Sequence, residues 1–464
     1  MDQTTVSTNP PAYIFKAYDI RGIVGQGLDD GVARQIGLAL GSKARSLGQR
    51  HFFVGRDGRL SSPALQQALI KGLLATGCDV TDLGCLATPV VYFAAAHLGT
   101  GNCVMVTGSH NPPDYNGFKM IVGGETLSPA QIQRLRQRIE QQDYQTGAGS
   151  LDQQPIIPAY IDYITQQIRL ARSFKVVVDC GNGAAGVVAP PLLRALGCEV
   201  IELYCEVDGR FPHHHPDPSQ PANLQALIGA VRDHQADLGL AFDGDGDRLG
   251  VIAPDGRIIW PDLQMILYAE EILQRHPRAR IIFDVKSSAH LARRIEAAGG
   301  QPVMWNSGYT LIKARLKELN GHLAGEMSGH VIFNDRWFGF DDALYTAARL
   351  LELLDQRGCA PQQTFDTLPH ACNTPELFLK MQEGEPFALM ERLYAIAHFE
   401  DCAIIKLDGL RVEFPHGWGL VRASNTTPCL SFRFEGDDEA ALYEIQARFR
   451  RLLWAVEPTL NLPF

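Results

Sequence analysis

Residues Cys103–Met120 read C-V-M-V-T-G-S-H-N-P-P-D-Y-N-G-F-K-M, an apolar run (Val104, Met105, Val106) that stops at Gly108. Such a run predicts a buried strand, and the two prolines, two asparagines and second glycine that follow are loop chemistry between strands. Ser109 and His110 stand in the middle of that loop, with Lys119 just past it. A hydroxyl on a tight loop beside a base and a cation suits a covalent nucleophile. The same residue types also serve loops that only satisfy their own backbone groups, so the rest of the chain must decide.

Working outward, the pattern recurs. Apolar strands end in Asp57 (F-F-V-G-R-D-G-R), Asp179 (V-V-V-D-C-G-N-G) and Asp284 (I-I-F-D-V-K-S-S). Each leads into a helical stretch that ends at glycine before a new strand, at Ala75–Val80, Ala195–Val200 and Ala297–Val303. Strand–helix–strand three times over predicts three similar α/β domains with mixed, mainly parallel sheets. Each copy then gives strand, polar loop, strand. The loop carries Ser109 in the first copy, D-G-D-G-D-R (Asp243–Arg248) in the second and G-E-M-S-G-H (Gly325–His330) in the third. Loops at one place in three copies would face a common central cleft.

The last ninety or so residues differ. Ile404–Leu407 and Leu410–Phe414 flank Asp408-Gly409, a hairpin signature, and Leu430, Phe432 and Phe434 alternate as a half-buried strand. Leu442, Ile445, Phe449 and Leu452 make one helical face, so a smaller C-terminal α+β domain is expected. The polar, Gly/Pro-containing stretch Gln141–Pro158 reads as a linker, and the expected domains are 1–155, 156–257, 258–369 and 370–464.

At 464 residues, 45% hydrophobic and 20% charged, the composition is that of an ordinary globular protein. A net charge of -10 argues against a nucleic-acid surface, which needs a basic face. No secretory leader or membrane span is expected, and ten cysteines without a C-x-x-C pair fit buried thiols in a reducing cytoplasm.

Asp243, Asp245 and Asp247 alternate with glycines, so the backbone can turn all three carboxylates inward. Three such groups about 5 Å apart repel by roughly 3 kcal/mol per pair at an effective dielectric near 20. A cation is required, and all-oxygen ligands favour Mg²⁺ over zinc. An EF-hand is excluded, because its Gly and Glu positions are Arg248 and Pro254. The open metal positions could take an oxygen from Ser109, and Arg21, Lys119, Arg248 and Lys286 could supply positive field for a moving phosphoryl group. Arg422, Ser424, Asn425, Thr426 and Thr427 form a dense donor set suited to phosphate. Glu326 and Ser328 suit sugar hydroxyls, with His330 as an acid/base candidate. Gly181–Gly186 satisfies G-x-G-x-x-G, but Asp179 and Cys180 separate it from its strand and no nicotinamide site accompanies it. His213-His214-His215 lies among prolines and reads as an extended connection lining the cleft rather than a zinc tract.

With A-Y-D-I-R-G (Ala17–Gly22), T-G-S-H-N-P, D-G-D-G-D-R, G-E-M-S-G-H and R-A-S-N-T-T-P in order, the whole chain resembles the α-D-phosphohexomutase superfamily. The resemblance implies three α/β domains and a TATA-binding-protein-like C-terminal domain around a cleft. It implies a phosphorylated Ser109, with Mg²⁺ on Asp243, Asp245, Asp247 and Ser109. It also implies Arg21, Lys119, Arg248 and His330 at the reacting end, and Glu326 and Ser328 on sugar hydroxyls. Arg422, Ser424, Asn425 and Thr426 would hold the non-reacting phosphate, with Tyr18, Lys286 and Tyr309 also on substrate. The implied activity is a reversible 1-to-6 phosphoryl shift on α-D-mannose and α-D-glucose phosphates in a cytoplasmic monomer, activated by glucose 1,6-bisphosphate and serving exopolysaccharide precursors. A metal-dependent phosphatase using Ser109, a phosphoglucosamine mutase, a sugar-phosphate-binding module and a dehydrogenase are the alternatives. Tyr309 stands where family members carry histidine, and a phenol does not titrate near neutral pH.

Overall fold

Strand Cys103–Val106 pairs in parallel with His51–Arg56 on one side and antiparallel with Tyr115–Val122 on the other. That arrangement opens the Ser109 loop at the end of a buried hairpin. The computed structural model, which describes residues 9–424 and 427–464, folds into two compact units. Met1–Pro261 and Ser328–Phe365 make the first, Asp262–Met327 and Asp366–Phe464 the second.

In the first unit, an 8-stranded sheet carries the Ser109 loop and a 5-stranded sheet carries the acidic loop. The second sheet repeats the core of the first. Lys175–Asp179 runs parallel to both Glu199–Leu203 and Leu238–Phe242, and Leu238–Phe242 then turns antiparallel into Leu249–Ile252. In the second unit, Arg280–Asp284 lies in the same way between the parallel strands Gln301–Trp305 and Leu323–Gly325. The parallel strands read as continuous apolar runs because both faces are covered by helices.

Helix ends follow their caps. Asp29 accepts from Val32 N at the start of Asp30–Ser46, and Ser128 with Gln131 forms a capping box for Pro129–Glu140. Gln141–Pro158 is more than a linker, for Leu151–Gln153 adds a parallel edge strand beside Asp79–Cys85. The segment 328–365 is fixed to the first unit by aromatic packing. Trp337 stacks on Tyr345 at 4.1 Å and lies 5.9 Å from Phe93, while Tyr160 donates to Asp342, the cap of Ala343–Arg357. Full burial of each such ring is worth about 1.5–3 kcal/mol.

The C-terminal part of the second unit is a 6-stranded antiparallel sheet covered by the helices Glu385–Ile396 and Glu439–Val456. Its hairpin is longer than the sequence suggests. Strand Ala403–Ile405 pairs with Leu410–Phe414 from Ile405 opposite Arg411, which leaves residues 406–409 in the loop. Asp408 is drawn out of a tight turn because it accepts from Arg422 and from Ser307 N.

The sheet is joined to residues 262–327 through two buried arginines. Arg411 lies 3.8 Å over the Trp418 ring and donates to the carbonyls of Val285 and Ser287 at 2.7 Å. Arg433 pairs with buried Asp262 at 3.0 Å. Removing one partner of a buried pair leaves the other charge desolvated and unpaired. Asp262→Ala is therefore expected to destabilise the second unit by about 3 kcal/mol, measured as a lower urea midpoint. An unchanged midpoint would show that the Lys286 carbonyl, which also accepts from Arg433, suffices.

Candidate active site

Ser109 is nearly inaccessible and sits at φ 50, a left-handed conformation uncommon for a residue with a side chain. Its hydroxyl lies 3.2 Å from Asp243 Oδ2, to which it donates, and 3.1 Å from His110 Nδ1. Its own N–H donates to Thr107 Oγ1 at 2.8 Å. The loop named for a nucleophile and the loop named for a metal thus meet within the first unit. Two glycines make the meeting possible. A Cβ on residue 244 would lie 2.4 Å from the Ser109 carbonyl oxygen, and Gly246 takes φ 75 against Ala87.

Asp243, Asp245 and Asp247 are fully buried, and one ligand atom from each can be chosen so that all lie within 4.8 Å of one another. Asp243 Oδ1 accepts from the backbone of Asp247 and Arg248 at 3.0 and 3.2 Å. Asp245 Oδ2 accepts from Thr88 Oγ1 at 2.5 Å and Lys119 Nζ at 2.7 Å, and Lys119 also reaches Asp247. Burial and then the carboxylates of Asp247 and Asp245 push the Asp243 carboxyl well above its usual range. Burial acts the same way on Asp245, but the Lys119 ammonium and the Thr88 hydroxyl outweigh it and hold that group low. Asp245 Oδ1 and Asp247 Oδ1 are buried without a hydrogen-bond partner. Orphaned carboxylate oxygens in a water-poor, mutually repelling set fit a hard divalent cation.

Around this centre the first unit gathers other expected residues. Arg21 bonds Asn111 of the serine loop at 2.5 Å and pairs with Asp19. Arg248 Nε donates to His330 Nε2 at 3.0 Å. Because Arg248 donates to Nε2, that nitrogen carries the lone pair and Nδ1 the hydrogen, with Nδ1 3.0 Å from Asp341 Oδ2. Tyr18 is partly buried in the bend before strand Ile20–Val24, and Ser328 is half-buried in the turn before His330.

The second unit gathers a different set. Lys286 is buried 3.0 Å from Glu376 and 3.8 Å from Asp284. Burial would lower its pKa, but Glu376 and Asp284 raise it on balance, so it stays charged. Arg422 is also buried, paired with Asp408 at 3.0 Å. Glu326 accepts from Gly308 N at 2.6 Å, which places it beside Tyr309 at the start of helix Tyr309–Glu318. Ser424 Oγ lies 3.1 Å from Thr427 Oγ1. Asn425 and Thr426 lie outside the described residues.

Several site residues were not legible as such. Asp57 takes the backbone N–H of Gly108 at 3.1 Å and the Thr107 hydroxyl at 2.8 Å, and Asp284 takes Met327 N at 3.2 Å. The aspartates that end the first strand of these modules therefore organise the loop that follows the third. The repeated strand-end Asp was the available signal. Thr88 and Glu376 had none, since one opens a helix and the other lies in an unpatterned stretch. His214 of the histidine tract is 3.0 Å from Asp179.

Comparison with known proteins is consistent along the chain. Phosphoglucomutase/phosphomannomutase alpha/beta/alpha domain I matches residues 12–146, domain II 158–256, domain III 260–372 and the C-terminal domain 377–452. The phosphomannomutase/phosphoglucomutase of Pseudomonas aeruginosa is 54% identical over 454 residues, 98% of each chain. The phosphoglucomutase of Neisseria gonorrhoeae is 50% identical over 95% of this chain and 96% of its own. The crystal structure of a phosphoglucomutase/phosphomannomutase family protein from Burkholderia thailandensis superimposes with a TM-score of 0.93 at 51% identity, covering 97% of this chain and 99% of that one. Four domain matches in order and relatives of this identity over nearly the full length show that the chain belongs to the phosphoglucomutase/phosphomannomutase family and is a hexose-phosphate mutase.

Proposed function

We propose that the chain interconverts the 1- and 6-phosphates of α-D-mannose and α-D-glucose through a phosphorylated Ser109 and a hexose 1,6-bisphosphate. The observation that carries this reading is the Ser109 hydroxyl 3.2 Å from Asp243, within a fully buried three-carboxylate set. Asp243, Asp245, Asp247 and Ser109 would hold Mg²⁺, which when bound neutralises charge on the phosphoryl group in flight.

The steps assigned to the chain are these. The bond from Ser109 Oγ to phosphorus breaks as the sugar hydroxyl oxygen bonds to phosphorus. The hydroxyl proton passes to His330 Nε2, whose ring faces Asp341 through Nδ1 and from which Arg248 must first withdraw its Nε. Arg21, Lys119 and Arg248 supply positive field to the reacting phosphate. Glu326, Ser328 and Tyr309 bond sugar hydroxyls, with Tyr18 and Lys286 also on substrate. Arg422, Ser424, Asn425 and Thr426 hold the phosphate that does not react. The bisphosphate then turns end for end; the Ser109 oxyanion left by the first transfer bonds to its other phosphorus as that sugar O–P bond breaks, and His330 Nε2 returns the proton to the sugar oxygen released. Added glucose 1,6-bisphosphate restores enzyme that has lost its phosphate.

Among the described residues no helix is long and apolar enough to cross a membrane. The reading further places the enzyme in the cytoplasm as a monomer, tested by sedimentation. Its main test is incubation with glucose 1-phosphate, Mg²⁺ and trace glucose 1,6-bisphosphate. Glucose 6-phosphate should form without free phosphate. Phosphate release at the rate of substrate loss would replace the mutase reading with a phosphatase.

A further inference from the structure

Arg59 is a fully buried cation that no step above uses. A guanidinium offers five N–H donors. Nη2 donates to the carbonyls of Ser109 at 2.7 Å and Asn111 at 2.6 Å. Nη1 donates to those of Tyr115 at 3.0 Å and Pro112, and Nε to Asp57 Oδ2 at 3.1 Å. Every donor is thus matched, and four of the five acceptors are backbone carbonyls of one seven-residue turn, 109–115. Asp57 completes the device. Its Oδ2 also holds Gly108 N and Thr107 Oγ1, and its Oδ1 takes Ser62 Oγ at 2.5 Å and Arg59 N at 3.0 Å.

We propose that Arg59, held by Asp57, is the positioning residue for the nucleophile: by clamping the Ser109 carbonyl it fixes the direction of the Ser109 hydroxyl toward the acidic loop. The inference rests on Ser109 being the phosphoryl carrier. A peptide is planar, so the carbonyl that Arg59 holds sets the ψ of Ser109 and thus its backbone orientation. Ser109 has an unfavourable φ of 50, and an unclamped chain would relax toward the broad allowed regions. That relaxation would swing Oγ off Asp243. The Ser109 carbonyl is also the atom that Gly244 passes, 2.4 Å from where a Cβ would stand. The clamp therefore sets the spacing of the two loops through the Ser109 carbonyl, and Arg59 need touch neither substrate nor metal.

A lysine at this place could pair with Asp57 but has three donors on one nitrogen and cannot span the turn. In Arg59→Lys, kcat per folded molecule should fall about 100-fold, as expected for an attacking atom displaced by about 1 Å. The KM for glucose 1-phosphate and the Mg²⁺ concentration for half-activation should stay within about threefold, a change worth less than one factor of ten. Rapid-quench mass spectrometry should show phosphoryl loss from Ser109 slowed by the same factor as kcat. A merely structural arginine would lower the melting temperature and leave kcat per folded molecule untouched. Ser62→Ala removes one donor from Asp57 and one of the two acceptors of Asn116 Nδ2, which keeps Ser61 Oγ, and touches no group of the 109–115 turn, so it decides the matter if Arg59→Lys does not fold. Its kcat should drop about fivefold at unchanged KM. Folded Arg59→Lys with wild-type kcat, or Ser62→Ala with wild-type kcat, would overturn the proposal. Ser109→Ala assayed alongside separates the two levels: if it still transfers phosphate, the reading of Ser109 has failed rather than the clamp.

Discussion

Ser109→Ala is expected to lower mutase turnover by at least about 10,000-fold, the scale on which loss of a covalent nucleophile is felt. The loop offers no substitute. Thr107 Oγ1 is committed to Asp57 and to Ser109 N, and Thr88 Oγ1 to Asp245. Both hydroxyls are fully buried. The fold should survive, because Ser109 Oγ contributes only its bond to Asp243 and its contact with His110 Nδ1, and alanine is no worse than serine at φ 50. The melting temperature should therefore stay within about 2 °C of wild type, as a change of less than 1 kcal/mol requires. Intact mass spectrometry checks the same point without an assay. Wild-type protein incubated with glucose 1,6-bisphosphate should carry one phosphate, and Ser109→Ala none. A variant that keeps even a hundredth of wild-type turnover would move the phosphoryl carrier elsewhere.

The parts of this site that can be read from the chain are those whose local chemistry is abnormal. Three carboxylates in five residues cannot be tolerated without a cation, and a serine among two prolines and two asparagines cannot continue a strand. Both features announce themselves without tertiary information. The three-module architecture is legible for a related reason. Apolar runs ending in Asp57, Asp179 and Asp284 mark parallel strands buried on both faces, and the glycine joints mark helix ends.

The residues that escaped notice act through partners distant in sequence. Thr88 meets Asp245 across 157 positions and Arg59 meets Ser109 across 50, and neither spacing carries a periodic signal. Lys119, legible as a cation beside the serine loop, pairs with Asp245 and Asp247, partners the sequence spacing does not show. The hairpin at Asp408-Gly409 failed as a two-residue turn for the same reason, since Arg422 and Ser307 N compete for the aspartate. Local propensity yields where a charged side chain has a buried partner to satisfy.

The acidic loop gives the second large effect. Asp243→Asn should weaken Mg²⁺ binding by at least about 100-fold and cut turnover comparably, because one of three anionic ligands becomes neutral. The same change should not harm the metal-free protein. The amide oxygen can keep the N–H groups of Asp247 and Arg248, and the amide nitrogen can donate to Ser109 Oγ, reversing the present bond. Meanwhile a carboxylate that burial and two like charges disfavour has been removed. In EDTA the variant should therefore melt at or above the wild-type temperature. With millimolar Mg²⁺ the order should reverse, since ligand stabilisation follows the ratio of concentration to dissociation constant and reaches about 2.7 kcal/mol at one hundred times that constant. Scanning both proteins with and without metal measures the crossing directly. If wild type gains nothing from Mg²⁺, or the variant gains as much, then Lys119 alone satisfies the three carboxylates and the metal assignment fails.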